Sequence, residues 1–133
     1  MARLSDAQRA FLQDNPFVGT VTTLRADGSP HSTVVWIDAT DDVVLFNSPH
    51  TGAKLRHIRA DPRVSVVVID PAEMYRWVSV TGTAELVEDG ADDHIDRLAK
   101  KYLGVDAYPF HRPGQRRVTV RITPLDIEGL GLD

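Results

Sequence analysis

The chain has 133 residues, of which 42% are hydrophobic and 26% charged, and its formal net charge is −4. This length and composition are those of an ordinary globular protein, so we expect a single domain over residues 1–133. The sequence contains no cysteine, which excludes disulfides, thiolate zinc sites and cysteine nucleophiles, and the mildly acidic total disfavours general nucleic-acid binding.

The N-terminal segment predicts a short helix. It has no apolar signal core, and no window of the chain approaches the roughly 18 apolar residues that a membrane span needs, so we expect a cytoplasmic protein without a membrane span. Ser5 followed by Gln8 fits a capping box, and Asn15 with Pro16 ends the helical pattern. We expect this helix to pack over one end of a sheet.

A β-meander is predicted next. Residues 17–25 and 31–37 are rich in valine, threonine or isoleucine, and the segment ADGS between them is a strong hairpin signal. Residues 38–42 are interpreted as a polar turn, and the apolar run 43–46 as the third strand.

A basic strand-turn-helix unit follows over residues 43–63. We expect Ser48 or Thr51 to cap the helix, whose first N–H groups lack partners within the helix and favour an anion. Lys54 in the first turn, and Gly52 for close backbone approach, make this turn a candidate phosphate site. The alternative is a solvated basic face on an ordinary surface helix.

The second half of the chain predicts three more strands and one helix. Residues 63–69 are almost continuously apolar, which is typical of a strand buried on both faces. Residues 75–87 are long enough to wrap around a barrel, with Gly82 as a bend or bulge. A helix is expected before Gly104, with acids first and bases last, and Tyr102 on its core side.

A loop over residues 108–114 carries two aromatics, two prolines and an arginine, and either lines a flat ligand or folds back on the barrel. Residues 117–122 alternate as a final, one-sided strand. The predicted architecture is therefore mainly β (α+β), a six-stranded antiparallel split β-barrel with two to three flanking helices. An apolar face left on so small a curved sheet indicates a dimer.

The order of three motifs resembles a known family. The segments TTLRADGSPH (22–31), KLRHIRADPRV (54–64) and VTGTA (80–84) resemble the pyridoxamine 5′-phosphate oxidase-like split β-barrels, including the actinobacterial flavin and deazaflavin oxidoreductases. The later segments KYLG (101–104), YP (108–109) and RVTVRITP (117–124) are similar to the subgroup that uses the deazaflavin coenzyme F420.

This resemblance implies a homodimer with cofactor clefts at the subunit interface. A lysine after the third strand holds the cofactor phosphate in the family, and Lys54 occupies that place. The second strand lies along the tricyclic ring of the cofactor. The implied cofactor-binding residues are Ser32, Thr33, Val34, Val35, Trp36, Asn47, Ser48, Thr51, Gly52, Ala53, Lys54 and His57.

The second strand lacks the arginine and lysine pair with which true pyridoxamine phosphate oxidases bind FMN, so F420 is preferred as the cofactor and FMN is the alternative. The implied reaction is hydride transfer to a small unsaturated or planar substrate. Two alternatives stay open, an FMN-binding oxidoreductase or electron carrier and a non-catalytic cofactor-binding protein.

No sequence spacing identifies a catalytic side chain. His57, Tyr108 and His111 are candidate proton donors, and Trp77, Tyr108 and Arg112 are expected to face the substrate or a partner chain. The five histidines show no metal-ligand spacing, so no metal site is expected.

Overall fold

The computed structural model describes residues 2–133, which form three helices and seven strands. The helices are α1 (Asp6–Asp14), α2 (Ala53–Ala60) and α3 (Ala91–Leu103). The strands are β1 (Gly19–Leu24), β2 (Pro30–Val35), β3 (Asp38–Thr40), β4 (Val43–Pro49), β5 (Arg63–Asp70), β6 (Glu73–Val87) and β7 (Arg117–Leu130).

The strands form one antiparallel sheet in the order β2-β1-β5-β6-β7-β4-β3. Its two edge strands, β2 and β3, are separated in the chain by only Trp36 and Ile37. Because two residues span so short a distance, the two edges must lie close together, and the sheet curls into a barrel that is split along this seam. The predicted split β-barrel is confirmed, with seven strands in place of six.

Several local predictions are confirmed. Ser5 and Gln8 form both hydrogen bonds of the capping box, and Phe11 and Leu12 of α1 are buried. Helix α3 ends at Gly104, whose left-handed backbone has a φ of 72°. The β6–β7 register shifts next to Gly82, where a Cβ would collide with the carbonyl oxygen of Thr123.

Three strand predictions are corrected. Residues 38–40 form the short strand β3, so the predicted turn is confined to Asp41 and Asp42. The last strand continues to Leu130, because the β6–β7 pairing resumes beyond the bulge that accommodates Pro124. The fifth strand is not buried on both faces, since Val67 and Ile69 are 41% and 46% exposed on its outer side.

The predicted caps of α2 are also wrong. Its N-cap is Gly52, and no side chain caps it. The hydroxyl of Ser48 instead donates to the carbonyl of Pro49 at 3.0 Å, and the Thr51 side chain is exposed. A side chain at Gly52 would meet Ser48 Oγ at 2.5 Å, so glycine allows the helix to begin this close to β4.

Tyr102 of α3 closes the seam. Its hydroxyl accepts a hydrogen bond from the N–H of Ile37 at 2.8 Å and donates to the carbonyl of Phe17 at 2.6 Å. Its ring stacks on Trp36 with the centroids 5.2 Å apart. Within residues 2–133, no helix is both long and apolar enough to span a bilayer, and no cluster of His, Cys, Asp or Glu is placed to hold a metal ion.

Candidate functional site

A cleft of about 380 Å³ opens at the barrel seam. It lies between the C-terminal ends of β2 and β4, beside the start of α2, and is covered by α3 and by the loop that follows α3. Its walls combine apolar side chains with two cations, the composition of a site for a largely apolar, anionic ligand. The lining residues are Val18, Val34, Val35, Trp36, Asn47, Ser48, Pro49, Lys54, Ile95, Leu98, Tyr108, Phe110 and Arg117.

Lys54 enters the cleft from the first turn of α2. Burial lowers the pKa of its ammonium group. Among the described residues it has no carboxylate partner within 4.0 Å. The first turn of α2 has no side-chain cap, so its N–H groups and Lys54 together favour an anion at this end of the cleft.

Arg117 is the second cation and is only 6% exposed. Its Nε donates to Asn47 Oδ1 at 2.8 Å, and its guanidinium carbon lies 5.0 Å from the ring centre of Tyr108. Burial lowers the pKa of the guanidinium, an effect that Tyr108 and Asp92 oppose. No carboxylate within residues 2–133 pairs with it, so this desolvated charge also faces the cleft without a counter-ion.

Aromatic rings form the opposite wall. The Tyr108 ring packs edge-on against Trp36 at 6.0 Å and against Phe110 at 5.5 Å. The loop that carries Tyr108 is attached to α3, because the N–H of Tyr108 donates to the Asp96 carboxylate at 2.8 Å. Phe110 is largely exposed, so the wall continues from the cleft to the surface.

Seven of the sequence-predicted residues meet in this cleft. Val34 and Val35 both line it although strand alternation points them to opposite faces, because the cleft surrounds the end of β2. The seven residues are Val34, Val35, Trp36, Asn47, Ser48, Lys54 and Tyr108.

The other predicted residues lie outside the lining. Thr51, Gly52 and Ala53 form the turn just before Lys54. Ser32 faces outward and shares a 2.8 Å hydrogen bond with Thr22, while the buried Thr33 hydroxyl has no partner in the described structure. Trp77 is half-buried on β6, and His111 and Arg112 are both exposed on the loop after α3.

His57 belongs to a separate group next to the β1–β2 hairpin. Its Nδ1 lies 2.8 Å from the hydroxyl of Thr23, and its ring packs edge-on against His31 at 5.1 Å. Burial and the nearby charges, led by His31 and Arg25, lower its pKa. This geometry separates His57 from the cleft lining.

Sequence reasoning missed Arg117 as a site residue because it begins a strand that alternates regularly. The register places it opposite Pro49, at the mouth of the cleft. Only its position directly after the aromatic, proline-rich loop could have indicated a site. The other lining residues that were not predicted are Val18, Pro49, Ile95, Leu98 and Phe110.

Comparison with known proteins gives a consistent result. Residues 4–131 match the family described as pyridoxamine 5′-phosphate oxidase. An F420H2-dependent biliverdin reductase of Mycobacterium tuberculosis is 31% identical over 121 residues, which cover 90% of this chain and 83% of the relative. A solved structure of an F420 reductase superposes with a TM-score of 0.77 at 29% identity, covering 90% of this chain and 94% of the other. A conserved hypothetical protein of Mycobacterium tuberculosis superposes with a TM-score of 0.71 at 27% identity, covering 93% and 82%.

Proposed function

Because the chain belongs to the pyridoxamine 5′-phosphate oxidase family, as its match over residues 4–131 establishes, we propose that it is an F420-dependent reductase whose cleft is completed by a second copy of the chain. Its substrate is a small unsaturated or planar molecule. The pairing of a buried cation, Arg117, and a half-buried one, Lys54, with apolar walls in one cleft carries this proposal.

The residues present fit a phosphorylated deazaflavin. The uncapped start of α2 and the side chains of Lys54 and Arg117 provide donors and positive charge for a phosphate. Val35, Ile95 and Leu98 provide apolar surface against which a flat ring system can lie. The absence of a paired carboxylate within residues 2–133 leaves both cations available to such a ligand.

When bound, reduced F420 supplies a hydride, and the chain supplies orientation and protection from water. Lys54 and Arg117 would hold its anionic end, and the end of β2 would lie beside its ring. β2 is an edge strand, so one side of its backbone carries N–H and C=O groups without a strand partner. These groups can bind the polar edge of the ring.

A proton must accompany the hydride to the substrate. Of the three proton-donor candidates, Tyr108 lines the cleft, whereas His57 is hydrogen-bonded to Thr23 outside the cleft lining and His111 is exposed. We therefore assign Tyr108, together with Phe110, to the substrate side of the cleft, with water or the Tyr108 hydroxyl delivering the proton.

The dimer is proposed from an apolar patch, here called the outer apolar face, which consists of Val34, Val67, Ile69, Trp77 and Leu130. The register aligns Val34 with Thr20 and Val67, and Ile69 with Trp77 and Leu130, so the patch crosses five adjacent strands. Val34, Val67, Ile69 and Leu130 are each exposed over at least 41% of their surface, and Trp77 is half-buried. A patch of this kind favours association with a second copy. Val34 also lines the cleft, so a second copy on this face would extend the cleft wall.

Fluorescence titration of the purified protein with F420, and in parallel with FMN at the same salt concentration, tests the proposed function. We expect binding of F420 to be at least tenfold tighter than that of FMN. The reduced complex is then mixed with biliverdin, the substrate named for the relative, as the first planar acceptor. Tighter binding of FMN would instead favour the flavin alternative, and F420 binding without turnover of any planar acceptor would favour a cofactor-binding protein.

A further inference from the structure

A buried network of hydrogen-bonded polar side chains lies behind the cleft and ends at Arg117. It comprises His94 of α3, Asn47 of β4, Thr119 of β7 and Arg117 itself, all less than one-tenth exposed. Asn47 and Thr119 are paired across the β4–β7 ladder, and His94 projects onto them from the first turn of α3. Of these four residues, the mechanism above uses only Arg117.

The hydrogen bonds determine the orientation of the Asn47 amide. Its Oδ1 accepts from Arg117 Nε at 2.8 Å, so its Nδ2 is the donor that faces the carbonyl of Ala91 at 2.9 Å and His94 Nδ1 at 3.2 Å. Turning the amide over would place its N–H groups against the guanidinium and its oxygen against the Ala91 carbonyl, and so lose both of these hydrogen bonds. The two acceptors, the Ala91 carbonyl and His94 Nδ1, therefore determine together which atom Asn47 presents to Arg117, and His94 is the one of the two that is a side chain.

The same geometry determines the tautomer of His94. Its Nδ1 accepts from Asn47 and lies 3.3 Å from the hydroxyl of Thr119, so the ring carries its proton on Nε2. Nε2 is buried without a hydrogen-bond partner in the described structure, and the nearest carboxylate oxygen, Asp38 Oδ2, is 3.7 Å away. Burial raises the pKa of Asp38, but the contact with His94 and the N–H of Ala39 outweigh it, so the carboxylate stays ionised towards the ring.

We propose that His94 is a positioning residue, which acts through Asn47 to hold the Arg117 guanidinium in the cleft before the anionic ligand arrives. An arginine has many rotamers, and fixing one of them in advance strengthens binding because less conformational freedom is lost on association. The hydrogen bond to Asn47, at 2.8 Å, is the shortest that the Arg117 side chain makes, since Gln115 lies 3.5 Å away and Tyr108 contacts the guanidinium mainly through its ring, so Asn47 is its main anchor. The inference rests on the proposed function, since it concerns the anion-binding end of the same site.

Two substitutions separate positioning from packing. Asparagine in His94→Asn places an acceptor oxygen at the position of Nδ1 but leaves a smaller side chain. Leucine in His94→Leu fills the volume better and has no acceptor. If His94 only fills space, both the F420 affinity and the unfolding midpoint of the leucine variant should be closer to wild type than those of the asparagine variant. If His94 positions Arg117, the F420 affinity should instead be retained in the asparagine variant, which keeps an acceptor, and lost in the leucine variant.

The affinity for F420 is measured by fluorescence titration beside the thermal unfolding midpoint of each variant. We expect His94→Asn to bind F420 within about twofold of wild type and His94→Leu to bind about tenfold more weakly, the order expected for the loss of a buried acceptor. His94→Leu is nevertheless expected to have the higher unfolding midpoint of the two. If His94→Leu does not fold, His94→Met replaces it. Wild-type affinity in the leucine or methionine variant would overturn the proposal.

The Arg117 Nε–H signal in a 15N-labelled sample without coenzyme gives a readout that does not depend on F420 binding, and Arg117→Lys identifies it. We expect the Arg117 Nε–H proton to exchange slowly with water in wild type and in His94→Asn, and rapidly in His94→Leu. A signal that is unchanged in the leucine variant would reject positioning. If wild type shows this pattern but binds no F420, the proposed function fails and the positioning role stands.

Discussion

At the scale of single residues, the site depends on two cations of different origin. Lys54 follows the basic turn that the sequence indicates, whereas Arg117 comes from a distant strand and is held by Asn47. Both are at least partly buried, and no carboxylate in the described part of the chain lies within 4.0 Å of either. Such groups contribute more to ligand binding than to folding, because their burial without a counter-ion is unfavourable.

The first prediction follows for Lys54→Ala. Because hydrogen bonds to charged groups contribute about 1.5–3 kcal/mol, we expect F420 to bind about 10- to 100-fold more weakly. The free energy of unfolding is expected to change by less than about 1 kcal/mol, since the removed ammonium group has no ion-pair partner. Fluorescence titration and urea denaturation measure the two quantities.

Arg59→Ala is the matched control, because it removes one positive charge from the exposed side of the same helix, outside the cleft lining. We expect its affinity for F420 to stay within about twofold of wild type. An equal loss of affinity in both variants would mean that Lys54 acts only through the general positive field of α2.

At the scale of secondary-structure elements, Lys101 joins α3 to both neighbouring parts of the fold. Its Nζ donates to the carbonyl of Leu12 in α1 at 2.5 Å and to that of Ile37, between β2 and β3, at 2.6 Å. Together with Tyr102, it fixes the helix that covers the cleft across the seam. Burial lowers the pKa of Lys101 from 10.5 to about 8, although Asp38 and Asp14 oppose the shift.

This shift predicts a pH-dependent contribution to stability. Above pH 8 the folded protein releases the Lys101 proton while the unfolded chain keeps it until about pH 10.5, so the unfolded state binds more protons in this window. The unfavourable burial of the charge, fully present below pH 8, is therefore relieved as the pH rises. The stability of wild type relative to Lys101→Met should increase between pH 7.5 and pH 9.5.

Urea denaturation of both proteins at several pH values within that window measures the difference, and groups that titrate equally in both proteins cancel. If the free energy of unfolding of wild type relative to Lys101→Met stayed constant or decreased with pH, the folded protein would keep Lys101 protonated above pH 8.

At the scale of the whole molecule, the outer apolar face and the cleft are continuous through Val34. In a monomer, Val67 and Ile69 would remain in water across the middle of the sheet. The fifth strand has the nearly continuous apolar sequence of a doubly buried strand, although one chain covers only one of its faces. The proposed dimer would cover the other face.

We therefore expect the wild-type protein to be a dimer in solution and Val67→Asp to be monomeric, because the substitution places a charge at the centre of the face. Light scattering coupled to size-exclusion chromatography measures the mass, and F420 titration of the monomer should show weaker binding since the cleft is incomplete. The control is Thr40→Asp, which places the same charge at an exposed position of the edge strand β3, away from the outer apolar face. A monomeric wild type would refute the dimer, and unchanged affinity in monomeric Val67→Asp would show that one chain forms the whole cleft.

Local chemistry explains the parts of the fold that could be predicted. The capping box of Ser5 and Gln8, the left-handed end of α3 at Gly104 and the bulge at Gly82 each depend on a few neighbouring residues, whose sequence is sufficient to indicate them. The start of α2 was predicted but its cap was not, because the approach of the helix to Ser48 excludes a side chain at Gly52.

The sequence alone determined the strand-rich architecture, the basic turn at Lys54 and the aromatic loop, because alternation, turn residues and charge clustering are properties of short segments. Only the tertiary structure decided that Arg117 meets Asn47, 70 residues away, and that His94 lies behind both. It also decided which side of β5 is exposed. The reason is that partners across a sheet depend on the register between distant strands, and burial depends on what covers each face, neither of which a periodic pattern specifies.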